Sequence, residues 1–262
     1  MKVAAIQLNA GENKERNIAK ALHFVREAIA AGSKAVFLPE VFNYRGALNK
    51  KILNEVAEKI PGPSIQPLMA LAKEHRVFIV AGSVYEKIPG QSKCYNTSVV
   101  INDYGRLSAR YRKIHLFDAV VGDRVVKEPQ NFFAGKSPVI APLGPTRLGM
   151  SVCYDLRFPE LYRKYGKKKC EIISVPSNFT YETGKAHWEV LLRARAIENL
   201  AYIVAPNQCG KSSGGIEAFG NSMIIDPWGG VLARASADCQ EIILGQVQRE
   251  ALEYSRAILP MI

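Results

Sequence analysis

Three residues stand where a nucleophile, a base and a cation would be needed to attack a carbonyl carbon. Cys153 follows the apolar run Arg147–Val152 and precedes Pro159–Tyr165, a helix pattern with proline in its first turn. A thiol in that strand-to-helix turn meets the positive end of the helix dipole, which favours the thiolate. A sharp turn there also exposes sulfur at the sheet edge. The competing reading is a small buried hydrophobe, as most free cysteines are. Glu40 follows Ala35–Leu38 and Pro39, with Val41 and Phe42 beside it. It reads as a general base in an apolar pocket, or else as an exposed loop glutamate. Lys113 closes the run Leu107–Arg112, where an ammonium can hold an oxyanion or simply be solvated. Three complementary groups at three strand ends carry more weight than any one of them.

The elements that must position these groups are legible in outline. Strands are expected at Val3–Leu8, Ala35–Leu38, Val77–Ala81, Ile172–Val175, Leu200–Ala205, Ser222–Ile225 and Glu241–Val247. Ile18, Leu22, Val25 and Ile29 recur at helical spacing up to Gly32, and further helices are expected over Lys50–Ile60 and Ser64–His75. Tyr95–Ile101 and Leu107–Arg112 flank Asn102-Asp103-Tyr104-Gly105, a hairpin turn. Asp118–Ser137 has little periodicity and is expected to be a long loop. Lys185–Asn199 is apolar on most of its surface and should form a well-buried helix. Alternating strands and helices early, with hairpins later, predict an α/β layered fold with mixed sheets. No repeat or linker divides the chain, so residues 1–262 are read as a single domain.

Composition narrows the class. With 48% hydrophobic and 23% charged residues, the 262-residue chain is neither disordered nor collagen-like. Five cysteines (Cys94, Cys153, Cys170, Cys209 and Cys239) lack C-x-x-C spacing and leave at least one thiol unpaired, which points to a reducing, cytoplasmic setting. Gln7 and Asn9 interrupt the apolar N-terminus, unlike a signal peptide, and no apolar run approaches a membrane span.

The segments FLPEVF, YRKIHLFD and GMSVCYDLRFPELYR, in the order Glu40, Lys113, Cys153, resemble the three signature stretches of the nitrilase superfamily of carbon–nitrogen hydrolases. The resemblance runs from the first strand to about Arg249. It implies a four-layer α-β-β-α sandwich and a Glu40–Lys113–Cys153 triad acting without cofactor. Cys153 would attack an amide carbonyl while Glu40 takes the thiol proton and passes it to departing ammonia. Lys113 and the backbone N–H of Tyr154 would hold the oxyanion, and Glu40 would then activate water against the thioester. A covalent route divides one hard hydrolysis into two easier steps. Glu128, in VVKEPQNFFAG, matches a second glutamate of the family that orients the lysine or the substrate. Pro176–Gly210 is similar to the Nit branch of amidases, which implies an ω-amide of an α-keto acid as substrate. Deaminated glutathione is the first expectation, with α-ketoglutaramate, N-carbamoyl amino acids and nitriles as alternatives. Tyr154, Arg157, Asn178, Phe179 and His187 fall in the stretches expected to touch it. The same resemblance implies a homodimer or higher homo-oligomer, and family members usually continue beyond Ile262 with a basic tail near a dimer interface.

Other signals yield to simpler explanations. Ala205–Ser212 (APNQCGKS) is one residue from a phosphate-binding loop, but Pro206 and the absence of a following helix pattern favour a surface loop near the site. His23, His75, His115 and His187 lack metal-ligand spacing. Arg157 could pair with Glu160 or bind a substrate carboxylate. The net charge of +11 raises nucleic acid as a partner, but the basic residues lack interleaved aromatic platforms, and Lys167-Lys168-Lys169 reads as a solvated helix end. A small-molecule amide is the expected partner, with neither nucleic acid nor membrane.

Overall fold

The structure, a computed structural model, describes residues 1–121, 124–213 and 215–261. Gly122 and Asp123 of the expected long loop, Gly214 and the chain end at Ile262 lie outside the described residues. From the N-terminus run β1 (Lys2–Gln7), α1 (Lys14–Ala30), β2 (Ala35–Phe37), α2 (Lys50–Val56), α3 (Gln66–His75), β3 (Phe78–Val80), β4 (Val84–Glu86), β5 (Tyr95–Ile101) and β6 (Leu107–Arg112). Then come β7 (Asp118–Val121), β8 (Arg124–Lys127), β9 (Val139–Leu143), β10 (Thr146–Met150), α4 (Pro159–Lys167), β11 (Ile172–Ser174), α5 (Tyr181–Asn199) and β12 (Tyr202–Ala205). The chain continues through β13 (Cys209–Lys211), β14 (Glu217–Phe219), β15 (Met223–Ile225), β16 (Val231–Arg234), β17 (Glu241–Gln246) and α6 (Arg249–Ile258).

Two mixed sheets result. One runs β17-β1-β2-β3-β5-β4 with β6 paired to β5, and the other runs β16-β15-β12-β11-β10-β9. Strand alternation decides what each face meets. Val3, Ala5, Phe37 and Val80 of the first sheet point into one core with Leu148, Met150, Ile172 and Val204 of the second. Ala4, Ile6, Val36 and Ile79 point the other way, onto α1 and α3. The outer face of the second sheet is covered by α4 and α5 through Tyr162, Tyr165, Trp188 and Leu192. These layers are the expected α-β-β-α sandwich.

Several elements depart from the sequence expectation. The Asp118–Ser137 region holds the hairpin β7–β8 and a short 3₁₀ turn, Glu128–Gln130. Four-residue strands with Val120 and Val125 exposed are too short to register as a period. Helix α1 faces the core with Ala21, Val25 and Ala28, so its stripe is rotated from the expected one and Leu22 and Ile29 flank it. Helix α5 begins at Tyr181, ahead of the expected start, and is not buried all round: Val190 is 68% exposed and Ile197 41%. The Ala205–Ser212 stretch is no surface loop, because Asn207 and Gln208 are fully buried between the sheets' ends.

Candidate active site

Each candidate side chain is aimed by backbone that its neighbours hold. Past β2, Pro39 and Glu40 run against Gly82, where a Cβ would lie 1.9 Å from the Pro39 carbonyl oxygen. Only glycine permits that approach, and its φ of +35° adds to the constraint. The next residue, Val41, is itself left-handed at φ +49° and donates its N–H to Ser83 Oγ at 3.0 Å. Lys113 leaves β6 with its N–H on the Asn96 carbonyl and its own carbonyl accepting from Gly135, both at 2.8 Å. Cys153 opens a 3₁₀ turn, Cys153–Arg157, with φ +49° and its N–H on the Pro176 carbonyl at 2.9 Å.

The side chains converge on one cavity of about 410 Å³. Lys113 Nζ donates to Glu40 Oε1 and to Glu128 Oε1, each at 3.0 Å, and the lysine is 1% exposed. Asn96 Nδ2 donates to Glu40 Oε1 at 2.8 Å, and the Asn178 N–H donates to Oε2 at 2.9 Å. Gln208 Nε2 holds the Glu40 carbonyl at 2.9 Å. Glu128 is steadied by the Phe117 N–H on Oε2 at 2.6 Å. Glu40, Lys113, Glu128 and Cys153 all line the cavity.

Burial and charge compete in this cluster. Burial pushes the Lys113 ammonium towards the neutral amine, but the Glu128 and Glu40 carboxylates override it and hold the pKa well above the usual lysine value. Burial raises Glu128, helped by Glu40 and opposed by Lys113. The Cys153 thiol is also pushed well up, by burial first and by the neighbouring Glu40 second, with Lys113 and the Asn178 N–H opposing. This corrects the expectation of a dipole-stabilised thiolate. Burial beside a carboxylate outweighs the opposing Lys113 and Asn178 N–H and favours the protonated thiol.

The expected substrate-contacting residues divide. Tyr154, Arg157, Asn178 and Phe179 line the cavity. His187 does not: it lies exposed in the second turn of α5 and reaches the site only through Arg157, with Nδ1 3.3 Å from Arg157 Nη1. Arg157 lies over the rings of Phe179, at 5.2 Å, and Tyr154, at 5.9 Å. It makes no ion pair with Glu160 or any other carboxylate among the described residues. Arg45 also borders the cavity, but both its terminal nitrogens are engaged, Nη1 with Asn9 Oδ1 and the Cys209 carbonyl and Nη2 with the carbonyls of Gly210 and Ile216. Burial lowers Arg45 to about 10, which still leaves it charged at neutral pH. Asn96, Gln208 and Arg45 were not among the expected site residues, and no local pattern in the sequence marks them. Among the described residues no cluster of His, Cys, Asp or Glu could hold a metal ion, and no helix is long and apolar enough to cross a membrane.

A sequence model of the carbon-nitrogen hydrolases matches residues 2–257. The chain belongs to the carbon–nitrogen hydrolase family. Among curated relatives of this hydrolase, the omega-amidase NIT2 of Homo sapiens is 37% identical over 261 residues, covering 99% of this chain and 93% of the relative. The deaminated glutathione amidase of Bos taurus is 36% identical over 268 residues, covering 99% and 80%. Among solved structures, the C. elegans NitFhit protein superposes with a TM-score of 0.91 at 35% identity. The hydrolase covers 99% of its own chain in that match and 63% of the NitFhit chain.

Proposed function

We propose that this amidohydrolase cleaves the amide of a small carboxylate-bearing substrate, the ω-amide of an α-keto acid, through a Cys153 thioester within a single catalytic domain. The observation that carries the carboxylate is Arg157: cavity-lining, stacked on aromatic rings and without an anionic partner among the described residues. A planar guanidinium in that setting pairs with a carboxylate through two parallel hydrogen bonds.

The cycle follows from the site's resting protonation. Glu40 takes the Cys153 proton as sulfur attacks the carbonyl carbon, so no free thiolate has to persist. Negative charge moves onto the carbonyl oxygen, towards the Lys113 ammonium and the Tyr154 N–H. Glu40 returns the proton to nitrogen, the C–N bond breaks and the amine leaves. Glu40 then draws a proton from water, which attacks the thioester, and sulfur leaves with that proton. Glu128 keeps Lys113 placed and charged. Tyr154, Asn178 and Phe179 bound the substrate, while His187 acts only through Arg157.

Deaminated glutathione is the substrate first expected, and the NIT2 likeness favours α-ketoglutaramate as the second reading. Ammonia leaves only from the second; from the first the leaving amine is that of cysteinylglycine. An assay of released amine on both compounds, an N-carbamoyl amino acid and a nitrile separates the readings. Turnover of the nitrile alone overturns the amidase proposal. Arg157→Gln is expected to raise KM for the preferred carboxylate-bearing amide about 100-fold with kcat changed less than about threefold. An unchanged KM would remove the carboxylate contact.

The proposal extends to assembly and setting. Val190 and Ile197 on α5, with Trp228 54% exposed and Tyr254 66% exposed, present apolar surface on one side of the molecule. The Trp228-Gly229 turn packs on Ile197, which makes the patch continuous, and a second copy of this chain is its proposed occupant. Light scattering is expected to give a dimer or larger, and Val190→Glu a monomer; a monomeric parent refutes this. All five cysteines are free, which suits a reducing compartment such as the cytoplasm.

A further inference from the structure

Asp155 lies two residues beyond Cys153 and is fully buried. Its carboxylate is completely engaged. Oδ2 accepts from the Tyr111 hydroxyl at 2.7 Å and from the Val152 N–H at 2.9 Å. Oδ1 accepts from the His115 N–H at 2.9 Å and faces His115 Nδ1 at 2.7 Å. The two partners in β6 and just past it, Tyr111 and His115, stand two positions before and two positions after Lys113. The third partner, Val152, immediately precedes Cys153. One carboxylate therefore ties the strand end that carries the lysine to the turn that carries the sulfur, and these come from different sheets.

The surroundings reinforce the tie. The His115 ring stacks on Phe158 at 3.7 Å between centroids and 6° between planes. On the opposite side, Arg195 Nε and Nη2 both donate to the Leu156 carbonyl, at 3.0 and 2.9 Å. Burial, then Asp155 itself, pushes the Tyr111 phenol well up, so it remains a donor. The Cys153 backbone is left-handed, a conformation unfavourable for any residue but glycine. Such a conformation persists where neighbours over-determine it, and Asp155 pins the residue directly before it.

We infer that Asp155 is a positioning residue for the reaction: by bonding Tyr111, His115 and Val152 together it sets where the Cys153 sulfur lies relative to Lys113. The inference rests on the reading of Cys153 as nucleophile. Asp155 touches no reacting atom. Asn at this position keeps the shape but turns one acceptor into a donor, facing N–H or O–H groups that already donate. The turn must then shift, and a displacement on the order of 1 Å costs about 100-fold in rate.

The test uses the full chain. Asp155→Asn, Tyr111→Phe and His115→Asn are compared with the parent for kcat and KM on the preferred amide. Alkylation of Cys153 by iodoacetamide is followed peptide by peptide without substrate. Exposed Cys239 serves as the internal reference. Asp155→Asn is expected to lower kcat about 100-fold with KM within about threefold, and to change the Cys153:Cys239 alkylation ratio at least about fivefold. Tyr111→Phe and His115→Asn each remove part of the tie and are expected to lower kcat by about tenfold. A folded Asp155→Asn that loses thermal stability yet keeps parental kcat and alkylation ratio overturns the inference, since its role would be structural only. Should that variant fail to fold, parental kcat in both remaining variants overturns it equally. If the parent hydrolyses none of the amides, the proposed function fails, and the alkylation ratio alone decides the positioning role.

Discussion

Cys153→Ala is expected to lower kcat by about 10⁵–10⁶-fold while leaving the fold intact. The size of the loss follows from what the sulfur contributes. Without it no thioester forms, and Lys113 and Glu40 are left facing a water that has no defined line of attack. Removal of a single nucleophile from a group that works as a unit costs nearly as much as removing the whole group. Stability should hardly move. Alanine suits φ +49° no better and no worse than cysteine, and it keeps the main-chain N–H bond from residue 153 to the Pro176 carbonyl. A thermal midpoint within about 4 °C of the parent is expected. Amine release above about one hundredth of the parental rate would exclude the thiol mechanism.

The second large effect is Glu40→Gln, for which a fall of about 10³–10⁴-fold in kcat is expected. The reasoning is specific to a thiol whose resting form is neutral. Cys153 is raised by burial and by Glu40, so attack requires the proton to leave as sulfur bonds to carbon. Glu40 is the acceptor beside it, and glutamine cannot take a proton. Lys113 would still be paired through Glu128, so the variant does not strand a buried ammonium and should fold. Full hydrolytic activity in this variant would remove Glu40 as the base.

Where the sequence was legible, the reason was local. Asn102–Gly105 could be read as a turn because the Asn102 side chain caps the N–H groups of Tyr104 and Arg106 and Gly105 sits at φ +71°, all within five residues. The strands flanking it emerged with their expected limits. Glu40, Lys113 and Cys153 were visible because each follows its own strand and because the long run around Cys153 is distinctive. What escaped was set by contacts across the fold. The dipole argument for Cys153 was sound locally and was reversed by burial first and then by Glu40, which lies 113 positions away in the chain. Helix α5 read as buried because composition counts apolar side chains without saying which of them find a partner. Arg45, Asn96 and Gln208 carry no local pattern, since their work is to bond backbone and carboxylates brought in from distant segments.

The Lys113 cluster also sorts the direction of traffic through the cavity. Its floor holds two carboxylates against one ammonium, and its wall holds the Arg157 guanidinium, which has no carboxylate partner among the described residues. The pocket is therefore a small electrical dipole, negative at the reacting end and positive at the other. On the proposed function, an anionic amide would be admitted in one orientation, with its neutral amide towards Cys153 and its carboxylate on Arg157. Hydrolysis would then convert that neutral end into a second carboxylate beside Glu40 and Glu128. Such a reaction would create its own repulsion, and the product would be driven out by the same charges that aligned the substrate.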